Sequence, residues 1–79
     1  MKFLQVNVHD TIRYNFLEVR MINIERIVSV HEEISNRFIG LIYRNSEAES
    51  VKVVVSGDLA GFKRAITRLE QDGLVFTSL

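Results

Sequence analysis

From Lys2 to His9 the chain alternates residue by residue, with Phe3, Gln5, Asn7 and His9 on one side and Leu4, Val6 and Val8 on the other. A period of two predicts a half-buried strand. After the turn-like Asp10-Thr11 the alternation resumes from Tyr14 to Ile22 and sets Phe16, Glu18, Arg20 and Ile22 against Leu17, Val19 and Met21. The two strands are expected to form an antiparallel hairpin with a loop of about four residues. At Asn23-Ile-Glu-Arg26 the spacing changes so that Ile24, Ile27 and Val28 can turn inward together, which predicts one helical turn capped by Asn23. Val28 to Glu32 then reads as a short strand, and Glu33 to Arg37 as the next turn.

Phe38-Ile-Gly-Leu-Ile-Tyr43 is almost continuously apolar, the pattern of a strand covered on both faces or lying at an interface. The polar run Asn45 to Ser50 predicts a hairpin loop leading into a strand over Val51 to Val55. Ser56-Gly-Asp58 supplies helix-capping side chains. Behind them Leu59, Phe62, Ala65, Ile66 and Leu69 form a stripe at helical spacing, and Gly73 fits the left-handed position just past a helix end. Gly61 inside this helix is expected to mark a close approach to a strand or another helix, offsetting a cost of about 1 kcal/mol relative to Ala. The tail Leu74 to Leu79 is apolar enough to predict a terminal strand that either completes the sheet or pairs with another copy. The expected fold is α+β: a small antiparallel sheet of about five strands, with one C-terminal helix packed across a face. Residues 1–79 make a single domain, with 74–79 as terminal strand or oligomerisation tail.

Composition adds two constraints. Of the 79 residues 47% are hydrophobic, and a chain this short has material for one core only, so self-association is the expected reinforcement in the absence of cysteines or a metal cluster. Ten Lys and Arg balance ten Asp and Glu, which leaves no global field to attract nucleic acid or an anionic membrane. Lack of cysteine agrees with a reducing cytoplasm. Met1-Lys-Phe-Leu gives way to polar residues at once, and no apolar run reaches the roughly 20 residues of a membrane span. A cytoplasmic location is the expectation.

The run Ile22-Asn-Ile-Glu-Arg-Ile-Val-Ser-Val-His-Glu-Glu33, flanked by the predicted strands and followed by a helix, resembles the small proteins related to the flagellar and swarming motility protein FlbD and similar phage-encoded chains. The likeness spans roughly residues 14 to 70 and rests on apolar spacing with Asn23, Ile27 and Glu32. It implies a small adaptor or regulator of bacterial or phage type without enzymatic activity, and carries no functional residue with it. The strand over Phe3 to His9 and the apolar tail depart from that pattern.

Polar candidates are sparse. His9 and His31 with Glu32 and Glu33 lack the convergent spacing of a metal site. Glu32 and Glu33, as neighbours in a strand, point to opposite faces and cannot share a proton, and no nucleophile or oxyanion loop accompanies them or Asp10. No catalytic residue, metal or cofactor is assigned. Lys63, Arg64 and Arg68 form a basic helix face that reads as solvated. Arg outnumbers Lys seven to three, and Arg20, Arg44 and Lys52 with Tyr43 are expected on one solvent face. That arrangement would bind nucleic acid or a nucleotide, as in an inhibitor or ligand-sequestering protein. Pairing with Glu18, Glu47 and Glu49 explains the same charges without a ligand. The apolar surplus is the stronger lead. It assigns an interface to Phe38, Leu41, Tyr43, Leu74, Val75 and Phe76, and hence a non-enzymatic interaction module that forms a homo-oligomer and binds an unidentified protein partner.

Overall fold

The computed structural model describes residues 1–79. The chain runs β1 (Phe3–His9), β2 (Phe16–Asn23), a 3-10 turn (Ile24–Arg26), β3 (Ile27–Ile34), β4 (Phe38–Arg44), β5 (Ser50–Ser56), α1 (Leu59–Gln71) and β6 (Phe76–Ser78). The main strands lie in the order β2-β1-β5-β4-β3 with antiparallel neighbours, as expected for the α+β class. The tail completes the sheet: β6 pairs in parallel with the first half of β1, joining Phe3 to Phe76 and Gln5 to Ser78. β5 takes over beside β1 only at Val8 and His9.

This order places β2 and β3 at opposite edges, yet only the 3-10 turn joins them. Four Cα steps from Asn23 to Ile27 reach about 15 Å at most, whereas the outer strands of a flat five-stranded sheet stand roughly 19 Å apart. The sheet must therefore curl, with its two edges converging at the turn. Asn23 caps the turn as expected, its side-chain oxygen accepting from the Glu25 N–H. Arg26 Nη1 donates to the Asn45 carbonyl at 2.8 Å and ties the turn to the β4–β5 hairpin.

The concave face holds Leu4, Val6 and Val8 of β1, Ile22 of β2, Ile39 and Leu41 of β4, and Val53 and Val55 of β5. α1 crosses this face and adds Ala65 and Leu69, with Phe62 and Leu79 packed at the margin. Asp58 caps the helix by accepting from the Gly61 N–H at 2.6 Å. Gly61 has no strand against it. A Cβ there would meet the Asp58 carboxylate at 3.0 Å, so the glycine leaves room for the cap rather than for a neighbouring element. Gly73, at φ +71°, ends the helix as expected, and Lys2 Nζ donates to the Leu69 carbonyl near its C-terminus.

Three boundaries differ from expectation, the first being β3, which continues through Glu33 to Ile34 where a turn is expected. Val28 is 56% exposed rather than turned inward, because the β3–β4 register shifts between Ile27 and Ser29 and the bulge throws Val28 outward. The β1–β2 loop runs from Asp10 to Asn15 and is organised by one carboxylate. Asp10 Oδ1 accepts from the N–H groups of Ile12, Arg13 and Tyr14, and Oδ2 from that of Asn15. The Arg13 N–H, then that of Ile12, hold the Asp10 carboxyl below its ordinary value of 3.8 against a smaller effect of burial. A carboxyl depressed in the folded state stabilises above its unfolded pKa, and that contribution disappears as pH falls through the folded value.

Two outcomes follow from this packing. Leu69→Ala, which empties a fully buried site, is expected to lower unfolding free energy by about 2–5 kcal/mol in denaturant titration. Asp10→Ala is expected to lower Tm at neutral pH, and calorimetry at a series of pH values should find the gap to wild type narrowing as pH drops below 3.8.

Candidate interaction surface

Strand β2 has only β1 beside it and forms a free edge. Its register sets Ile22 against Leu4, Arg20 against Val6 and Glu18 against Val8, so these three share the concave face with the core, whereas a bulge at Leu17 pairs Phe16 with His9 and parts Phe16 from the face expected for it. Leu17, Val19 and Met21 consequently stand in a row on the convex face, 59%, 51% and 46% exposed. Ile24 donates its N–H to the Lys2 carbonyl. By alternation along the regular part of this antiparallel ladder, Glu18, Arg20 and Ile22 turn their backbone groups to β1, and Val19 and Met21 turn theirs to the open edge. Val19 and Met21 thus present both uncovered apolar side chains and unpaired backbone donors and acceptors, and Leu17 adds a third uncovered apolar side chain.

The convex face continues this apolar character across β1 to β6. Phe3 sits beside Phe76 in the parallel ladder, and Met1, Phe3 and Met21 line one shallow concavity. Val75 is 66% exposed, while Leu74 and Phe76 are exposed to a lesser degree. Thr77 points inward and is buried. Of the residues expected at an interface, the tail group Leu74, Val75 and Phe76 therefore lies at the surface.

The β4 group does not. Leu41 is fully buried in the core, so it cannot meet a second chain without opening the sheet. Phe38 is on the convex face, where its ring packs edge-on against His9 at 4.9 Å and tilted against Tyr14 at 5.0 Å. The His9 ring also meets Phe16, and its Nδ1 donates to the Tyr14 carbonyl at 2.9 Å. Gly40 lies beneath the His31 ring, so closely that a Cβ would fall 2.3 Å from it. Val54, cross-strand from both Gly40 and His9, is fully buried. The apolar run of β4 is thus covered on both faces by the chain itself.

Tyr43 and Arg44, adjacent in β4, point to opposite faces, and this separates the four residues expected to bind a ligand together. Arg20 and Tyr43 meet across the concave face, with Nη1 donating to the tyrosine hydroxyl at 2.9 Å. Arg44 instead donates to the Ala48 carbonyl, and Lys52 approaches Glu33 at 4.0 Å on the convex face. Glu33 also receives His31, whose Nε2 lies 2.9 Å from its Oε2. No three His, Cys, Asp or Glu side chains converge.

Arg20 also grips Glu18 of its own strand, Nη2 to Oε1 at 3.0 Å and Nε to Oε2 at 3.3 Å. The hydrogen bond from Arg20, then its charge, holds the Glu18 carboxyl below the ordinary carboxylate value. Arg20 is raised in turn, chiefly by its hydrogen bond to Glu18 and against a burial effect, with Tyr43 adding to the shift. The concave side of the edge strand is therefore a fixed acid-base pair, and the convex side an apolar row. The exposed β2 row was readable in the alternation itself: Phe16 to Ile22 carries apolar residues on both faces, and a hairpin strand can bury only one.

Scanned against protein-family models, curated proteins and solved structures, the chain matches none. No helix is long and apolar enough to cross a membrane. Tyr43→Phe is expected to cost about 0.5–1.5 kcal/mol in denaturant titration, the loss of one part-exposed hydrogen bond.

Proposed function

We propose that this chain is a small, non-enzymatic interaction module that associates with itself, acting in the cytoplasm of a bacterium or of a phage-infected cell. One observation carries the reading: Leu17, Val19 and Met21 are exposed in a row on an edge strand whose outward backbone groups have no partner. Natural edge strands are commonly protected by charge, proline or a bulge against such pairing. Here the convex row carries neither charge nor proline, its one bulge sits at the Leu17 end, and from Glu18 to Met21 the strand is regular; an added strand there would satisfy the backbone and cover the side chains together. The exposed tail residues Val75 and Phe76 extend the surface available to the unidentified protein partner that an adaptor or regulator would hold. With one small core, the chain also gains stability from association by mass action.

Size-exclusion chromatography with light scattering, run as a dilution series, tests the reading. A mass at least twice the 9.1 kDa of one chain is expected. A single-chain mass up to the solubility limit would overturn it. With no Trp and two Tyr the chain absorbs weakly, so recording 260 and 280 nm together exposes a bound nucleotide or nucleic acid. A strong 260 nm signal on a monomer would put ligand binding in place of self-association.

A further inference from the structure

The self-association reading leaves open which surfaces meet, and the charge order along β2 answers this. We propose that two copies join β2 to β2 in antiparallel pairing, about a twofold axis at Val19, to form one continuous sheet. In such a pair each residue faces the one equally far beyond the centre on the other chain. Leu17 then lies opposite the partner's Met21, and Val19 opposite its own counterpart. Glu18 lies opposite the partner's Arg20, and Arg20 opposite the partner's Glu18.

Backbone geometry suits this register. Val19 and Met21 turn their N–H and C=O groups to the open edge, so Val19 and its counterpart become the central hydrogen-bonded pair of the new ladder. Glu18 and Arg20 fall at the non-hydrogen-bonded positions, where Cα atoms approach to about 4.5 Å and side chains interact most strongly. The pair already formed within each strand at 3.0 Å becomes a square of alternating charges shared by two chains.

Neighbouring registers are excluded by the same charges. Moving the axis to Glu18 sets Glu18 against Glu18, and moving it to Arg20 sets Arg20 against Arg20; like charges directly opposite are destabilising. An axis between two residues would oppose the apolar row to the charged one, because a one-residue slip exchanges the faces of a strand. Val19 is the centre that satisfies the apolar row, the charges and the backbone at once.

Charge reversal in mixed pairs tests the register. Glu18→Arg makes both facing positions basic, and Arg20→Glu makes both acidic, so each variant alone is expected to fall from dimer to monomer mass in light scattering. Mixing the two restores opposite charges across the axis, and the mixture is expected to return to dimer mass. Far-UV circular dichroism establishes that each variant is folded. Because the chain has no cysteine, Val19→Cys supplies a measurement on the intact charge pattern and decides the matter if either charge variant fails to fold. It is expected to oxidise to a disulfide-linked dimer, whereas Leu17→Cys and Met21→Cys alone stay unlinked, being too far from their own counterparts for a disulfide.

A monomeric wild type removes self-association and this register together. A dimeric wild type whose charge variants also stay dimeric, or whose folded monomeric variants do not combine on mixing, leaves self-association standing and overturns β2 pairing at Val19. Preferential cross-linking of Glu18→Cys or Arg20→Cys over Val19→Cys has the same meaning.

Discussion

The short link from Asn23 to Ile27 constrains everything else in this molecule. It carries the chain from one edge of a five-stranded sheet to the other in fewer residues than a flat sheet would need, so the sheet curls around its own concave face. Curling gives 79 residues an enclosed core without a second sheet. Leu4, Ile22, Ile39 and Leu41 come from strands on both sides of the curl, and one amphipathic helix is then sufficient to close it. The Arg20 to Tyr43 hydrogen bond bridges the same concavity.

A curled sheet with one helix has its convex face to protect by other means. Over β4 and β5 the chain does so with its own rings: His31 covers Gly40, and His9, Tyr14 and Phe38 pack together near Val54. Over β2 no such cover exists. The loop before it is held by Asp10 through four backbone N–H groups, and Leu17, Val19 and Met21 stay exposed. The apolar row Leu17, Val19 and Met21 is therefore left beside an open edge, and the surface of greatest chemical deficit is the one on which the proposed function rests.

The division between core and surface also accounts for where the expected sites moved. Phe38 and Leu41 drew attention because their strand is nearly all apolar, yet an interior strand of a curled sheet, covered on both faces, needs apolar residues on both to pack. Arg20, Tyr43, Arg44 and Lys52 look like one basic and aromatic patch in sequence. Strand parity divides them, and each already has a polar neighbour within the chain. A single bulge likewise turned Val28 outward, an event that apolar spacing does not encode.

By itself, the amino-acid sequence determined the local elements. Period-two alternation marked β1 and β2, Asn23 and Asp58 marked the starts of the turn and the helix, Gly73 marked the helix end, and the apolar tail marked a sixth strand. These depend on neighbours a few residues apart, so the spacing of side chains expresses them directly. Tertiary structure decided which face of each strand became the inside, that β6 would run parallel to β1, and that β2 rather than β4 would be left uncovered. Those outcomes depend on register and on the curl imposed by one short link, which are relations between distant residues, and a strand with apolar side chains on both faces is compatible with either orientation until its neighbours are in place.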